Sequence, residues 1–114
     1  MYPEYHTSAD NLPCVNATAL GDSWRIVMQG VDILQQNRRF LNQSPKGEPQ
    51  LGPRGLYETA ESYRLFWILN FSDGRHSLLD IADRTRMPFW RLREGARRLL
   101  GSGLLQDLRG LSDR

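Results

Sequence analysis

Apolar residues Leu20, Trp24, Val27, Val31, Leu34 and Leu41 recur at separations of three, four and seven. That spacing places them on one face of a helix and predicts a helix over 17–42. Asn16 stands where an N-cap is needed. Gly21 and Gly30 each cost about 1 kcal/mol relative to Ala in a helix interior, so the helix needs a partner surface. Ser44-Pro45 ends it, because the residue before proline disfavours helical backbone. Residues 1–15 show no apolar periodicity and hold Pro3 and Pro13, which predicts an extended or loop segment. Residues 43–55 hold three prolines and three glycines and read as a stiff linker along a surface.

The second half reads as three short helices and a strand. A helix is expected from Leu56 to Asn70, with Leu56, Ala60, Tyr63, Phe66 and Trp67 at helical spacing. The run Leu65–Leu69 is continuously apolar and also fits a strand; the charged flank 58–64 favours the helix. Ser72-Asp73-Gly74 is a turn signal. Ser77 with Asp80 three residues on resembles a capping box. It opens a helix from Leu78 to Thr85, with Leu78, Leu79, Ile81 and Ala82 inward. Met87-Pro88 makes the next turn, and Arg86 stands where glycine is usual. The last helix, Phe89 to Leu100, puts Phe89, Leu92, Ala96 and Leu99 on one face, and Gly101 and Gly103 stop it. Leu104–Leu108 reads as a strand.

Helix, helix-turn-helix and strand in that order is the winged-helix plan. The expected fold is mainly α: a terminal loop and long helix over 1–42, the linker over 43–55, and a winged-helix domain with a small β-wing over 56–114.

A chain of 114 residues with 39% hydrophobic and 25% charged side chains supports one small core. Its net charge of +2 compels neither nucleic acid nor membrane as partner. No run of eighteen apolar residues predicts a membrane span. The start has neither a basic n-region nor an apolar h-region, so no signal peptide is expected. Cys14 is the single cysteine, which fits a reducing cytoplasm. Charge is uneven. Residues 1–74 carry six basic and eight acidic side chains, whereas 75–114 carry nine basic, all arginine, and five acidic.

Three segments carry a family resemblance: Pro3-Glu4-Tyr5-His6-Thr7-Ser8-Ala9-Asp10, Pro45-Lys46-Gly47-Glu48-Pro49-Gln50-Leu51-Gly52, and the stretch from Leu69 to Ala82. Together they resemble the C-terminal end of bacterial aminopeptidase-like zinc proteins. In these a co-catalytic zinc peptidase domain is followed by a winged helix. The resemblance implies that His6 matches the last histidine ligand of the zinc site. Thr7, Ser8 or Asp10 would then orient its ring. It also implies that the other metal ligands lie before residue 1, and that residues 1–42 are the terminal loop and helix of an aminopeptidase-like domain that is incomplete here. The chain departs from the pattern at Pro53 and over Asp83–Pro88. A zinc site needs three or four protein ligands, and no ligand pair at short spacing occurs here. The chain alone is therefore expected to bind no metal and to be catalytically inactive, with zinc belonging to the complete parent protein.

The last helix is the other candidate. Trp90, Arg93 and Arg97 share one stripe; Arg91, Glu94 and Arg98 share another. In a DNA-binding helix-turn-helix this element enters the major groove, so a DNA-binding regulator is one reading. Against it, Glu94 would meet phosphate repulsively, and Gln106-Asp107 gives the wing no basic tip. Trp with Arg is the composition of a protein-interface hot spot. The favoured reading is a docking surface for the parent catalytic domain or for a homo-oligomer.

Overall fold

The computed structural model describes residues 2–56 and 62–111. The chain divides into two compact units, one ending at Gln36 and one starting at Asn37.

The first unit is a turn-rich segment followed by a helix. A 3-10 turn spans Leu12–Cys14, and α1 runs from Ala17 to Gln36. Asn16 caps α1 as expected: its Oδ1 accepts from the Ala19 N–H at 2.7 Å. None of the twenty residues of α1 is buried.

The predicted helix over 17–42 is too long. It stops at Gln36, and Arg39–Asn42 form a strand, β1. Leu41 lies seven residues after Leu34 and so mimicked another helical turn. Backbone pairing on both edges outweighs that local spacing. β1 is the middle strand of an antiparallel sheet of order β2-β1-β3, where β2 is Asp73–Ser77 and β3 is Leu105–Asp107. Arg39 pairs with Ser77 and Leu41 with Asp73, with an irregularity between; on the other edge Phe40 pairs with Asp107 and Asn42 with Leu105. The alternation buries Phe40 and exposes Leu41, as a half-buried strand requires.

The boundary expected at 42/43 therefore lies at 36/37. The Pro/Gly stretch 43–55 is not a linker between domains but part of the second unit. Leu51, at 2% exposure, and Leu56 enter its core. A 3-10 turn at Gly52–Arg54 joins them, closed by Gly55 at φ 66°.

Three helices complete this unit: α2 Ser62–Phe71, α3 Leu78–Thr85 and α4 Phe89–Gly101. The first part of the expected helix, 57–61 with Ala60, lies outside the described residues, and Leu56 is not helical. Leu65, Ile68 and Leu69 form the core face of α2, not Tyr63, Phe66 and Trp67. The continuous apolar run left the helix phase open. Ser77 and Asp80 close the capping box in both directions. Arg86 adopts the left-handed conformation (φ 57°) that its position demands. Leu78 and Ile81 are buried as expected, but Leu79 is exposed and Ala82 half-buried. α4 buries the predicted Phe89, Leu92, Ala96 and Leu99, together with Gly95. A Cβ at Gly95 would fall 2.7 Å from Ile68 Cδ1 and 3.1 Å from Leu65 Cδ2, so α2 and α4 meet there at glycine-only distance.

Candidate interaction surface

α3 and α4 form the helix-turn-helix, and packing fixes which face of α4 turns outward. Because Leu92, Ala96 and Leu99 point inward, Trp90, Arg91, Glu94 and Arg97 point to solvent. Trp90 is 63% exposed, which is unusual for the largest apolar side chain. Arg93 and Arg98 are half-buried, and each already has a partner within the chain. The stripe Trp90–Arg93–Arg97 is thus exposed at its two ends and engaged in its middle. Behind it, the buried Arg64 of α2 donates from Nη1 to the Arg91 carbonyl at 3.3 Å. Burial pushes the Arg64 pKa down, and the neighbouring Arg91 charge adds to the shift.

β3 ends in Asp107, whose carboxylate lies 3.6 Å from Arg38 Nε. The chain then enters a 3-10 turn at Leu108–Leu111. The sheet is closed by β1 from the start of the unit. Among the described residues no hairpin follows β3.

A second feature lies on α2, exposed at Tyr63 and half-buried at Trp67 and Phe71. Tyr63, Trp67 and Phe71 recur every four residues. Tyr63 meets Trp67 edge-on, with centroids 5.8 Å apart. Trp67 stacks on Phe71 at 5.6 Å and 9°. His76 packs against Phe71, and Arg84 Cζ sits 5.6 Å from that ring. His76 Nδ1 lies 3.0 Å from Asp73 Oδ1. The Asp73 carboxyl is held well below its usual range, first by the Arg75 backbone N–H and then by His76. An open cleft of about 680 Å³ is lined by Tyr63, Phe66 and Trp67 on one side and by residues from Pro45 to Pro49 on the other. The sequence analysis placed Tyr63 and Trp67 at helical spacing without choosing a face; their spacing of four was the available signal for a row on one side of α2.

His6, Thr7 and Asp10 lie in the first unit. His6 adopts φ 62°, and the Tyr5 ring lies 4.1 Å from its own, centroid to centroid. The Thr7 hydroxyl donates to the Glu4 carbonyl at 2.7 Å and accepts from the Ala9 N–H. The Asp10 carboxylate accepts from the Tyr2 hydroxyl at 2.9 Å, which raises the Tyr2 pKa. Cys14 is exposed, with its thiol 3.1 Å from the Ala9 carbonyl. Among the described residues no three His, Cys, Asp or Glu side chains form a group that could hold a metal ion. Among the described residues no helix is long and apolar enough to cross a membrane.

Comparison with known proteins agrees with this architecture. The winged helix-turn-helix family pattern matches residues 38–107. A Clostridium acetobutylicum protein named for polysaccharide biosynthesis and an aminopeptidase-like domain is 42% identical over 110 aligned residues, covering 90% of this chain and 25% of that protein. A crystal structure of a protein described as a peptidase, from the same organism, superposes with a TM-score of 0.82 at 42% identity. It covers 93% of this chain and 24% of that one. The chain spans about a quarter of the length of these relatives, and the match falls in the C-terminal part of the first. The family pattern takes in all three strands and all three helices of the second unit, and the chain belongs to the winged helix-turn-helix family.

Proposed function

We propose that the winged helix is a protein-docking module of an aminopeptidase-like protein, with α4 as its contact face. The observation behind this is the make-up of the outward face of α4: an exposed Trp90 beside Arg91 and Arg97, with Glu94 among them. A broad aromatic with flanking guanidinium groups suits a partly apolar, acidic protein surface. Phosphate is a poorer match, because Glu94 would be desolvated against like charge. The partner is the aminopeptidase-like domain, in the same chain or a homologous one, or a second copy of this module. His6 contributes at most one donor, so a zinc centre would take its other ligands from that domain. The module by itself is inactive, and the reading places it in the cytoplasm, where Cys14 stays reduced.

DNA binding is the second reading, supported by the four arginines of α4. Titration against mixed-sequence duplex DNA at about 50 and 200 mM salt separates the two. A protein contacting six or more phosphates loses about 10³-fold or more in affinity over that interval. The docking reading expects weak binding at both salts. Tight binding with that slope, abolished by Arg93→Ala plus Arg97→Ala, would overturn it.

A further inference from the structure

We infer that the cleft between α2 and the Pro/Gly segment is a binding site for a neutral oligosaccharide of gluco-configured pyranose rings. The site uses none of the α4 residues of the docking reading and stands or falls separately from it.

The cleft is preformed, because one side chain ties its two walls together. Asn42, at the end of β1, donates from Nδ2 to the Leu69 carbonyl of α2 at 3.1 Å. Its Oδ1 accepts from the Ser44 N–H at 2.8 Å. Buried Leu51 anchors the far end of the Pro/Gly segment, where Arg54 Nη1 donates to the Gln50 carbonyl at 3.0 Å. The volume of about 680 Å³ falls in the range of small-molecule sites, about 300–1,000 Å³. A neighbouring cleft shares Glu48, Pro49 and Phe66 with it and runs on to Pro53. The groove therefore suits a chain of rings better than a single ring.

The lining decides the class of ligand. Tyr63, 63% exposed, and Trp67 set their rings at 84° to each other. The face of such a ring is electron-rich and attracts polarised C–H groups. Five polar groups also line the cleft: the Glu48 carboxylate, the Asn70 carboxamide, the Trp67 indole N–H and the hydroxyls of Tyr63 and Ser44. Among the described residues none of the five makes a hydrogen bond within the chain. Glu48 only accepts, Trp67 only donates, and the others do both. A gluco-configured pyranose matches both halves of this lining. Its axial C–H bonds make two apolar faces, and its equatorial hydroxyls, each donor and acceptor, form the rim. A proline-rich peptide also fits aromatic grooves. Proline, however, carries no N–H, so Glu48 would be desolvated without a donor. A phosphorylated ligand would meet Glu48 with like charge, and no described residue lining the cleft is basic. A purely apolar ligand would leave all five polar groups unpaired, each at a cost.

The test is a titration of the isotope-labelled 114-residue chain with cellotriose and with chitotriose, followed by NMR. Saturable shifts are expected at the Trp67 indole N–H, the Asn70 side-chain amide and the backbone amides of Ser44, Gly47 and Glu48. Tyr63→Ala should weaken binding by about tenfold through loss of the stacking ring. Glu48→Gln should weaken it by about the same factor through loss of a charge-assisted bond. Both replace exposed side chains and should leave the melting temperature unchanged. Trp90→Ala, on α4, should leave sugar binding unchanged. Shifts at the cleft with a polyproline peptide but with neither sugar would overturn the inference in favour of a peptide groove. Equal shifts with glycerol at matched hydroxyl concentration would reduce the site to a non-specific polyol effect and refute it. No saturable shift with either sugar, or binding that survives both cleft substitutions, would refute it outright.

Discussion

Gly95 is the position where one methyl group tests the packing of the helix-turn-helix. In Gly95→Ala the new Cβ starts 2.7 Å from Ile68 Cδ1 and 3.1 Å from Leu65 Cδ2. Carbon pairs settle at about 3.5–4.0 Å, so a neighbour must move by nearly 1 Å. Ile68 is at 0% exposure and Leu65 at 2%, so neither has free space to move into. Overpacking of this kind costs about 1–3 kcal/mol. The same substitution removes a helix-interior glycine, a gain of about 1 kcal/mol. The net expectation is a loss of about 0–2 kcal/mol, too small a window to test alone. Gly101→Ala supplies the control. It lies on the same helix, and nothing comes within 4 Å of its added Cβ, so it keeps the propensity gain without the clash. The difference between the two variants isolates the packing cost, and Gly95→Ala should be the less stable by about 1–3 kcal/mol. For a unit of this size each kcal/mol moves the melting temperature by about 4–8 °C. Urea and thermal unfolding followed by circular dichroism read it directly. If Gly95→Ala is as stable as Gly101→Ala, α2 and α4 do not approach as closely as described.

Phe40→Ala should destabilise the second unit by about 3–5 kcal/mol, since it empties a buried position in the middle strand. Leu41→Ala, on the exposed side of the same strand, should cost far less, and equal losses would contradict the strand assignment. Ser77→Ala should cost about 0.5–2 kcal/mol by removing the cap of α3. The Asp80 carboxyl is held below its usual range by the Ser77 backbone N–H and then the Ser77 hydroxyl. Its contribution is therefore complete above the unfolded pKa of about 3.9 and fades as pH falls through the folded value. Asp80→Asn should flatten that acid limb of the stability profile, and an unchanged slope below pH 5 would refute the assignment.

Local chemistry was legible in the sequence; non-local pairing was not. The capping box of Ser77 and Asp80, the cap of Asn16 and the inward face of α4 each depend on residues within a turn or two of one another. The strand β1 depends on Asp73–Ser77 and Leu105–Asp107, some 30 to 70 residues away, and nothing within 39–42 announces them. Leu51 sits in a stretch whose proline and glycine content reads as linker, yet it is as buried as Leu65 of α2. The phase of α2 was hidden because five apolar residues in a row give no contrast between faces. At the site, the solvent face of α4 followed from its apolar spacing. The aromatic row on α2 did not, because its residues were read only as positions at helical spacing.

The excess of positive charge in residues 75–114 looks in sequence like a surface prepared for polyanions. The structure shows much of it engaged within the chain. Arg86 lies 3.6 Å from Asp83. Arg84 lies over Phe71. Arg93, Arg98 and Arg109 each have an intrachain partner. Even Arg38, in the other half, is directed at Asp107 on the last strand. A protein that neutralises many phosphates needs its cations available to displace counterions, because that release drives binding. On α4 the exposed cations are Arg91 and Arg97, separated by the carboxylate of Glu94. On the docking reading proposed above, these two guanidinium groups around a carboxylate and beside a bare indole are directional contacts for one protein surface. Arginine in this half of the chain thus has contacts within the protein, Arg84 over Phe71 and Arg86 beside Asp83, as well as solvent-facing positions on α4.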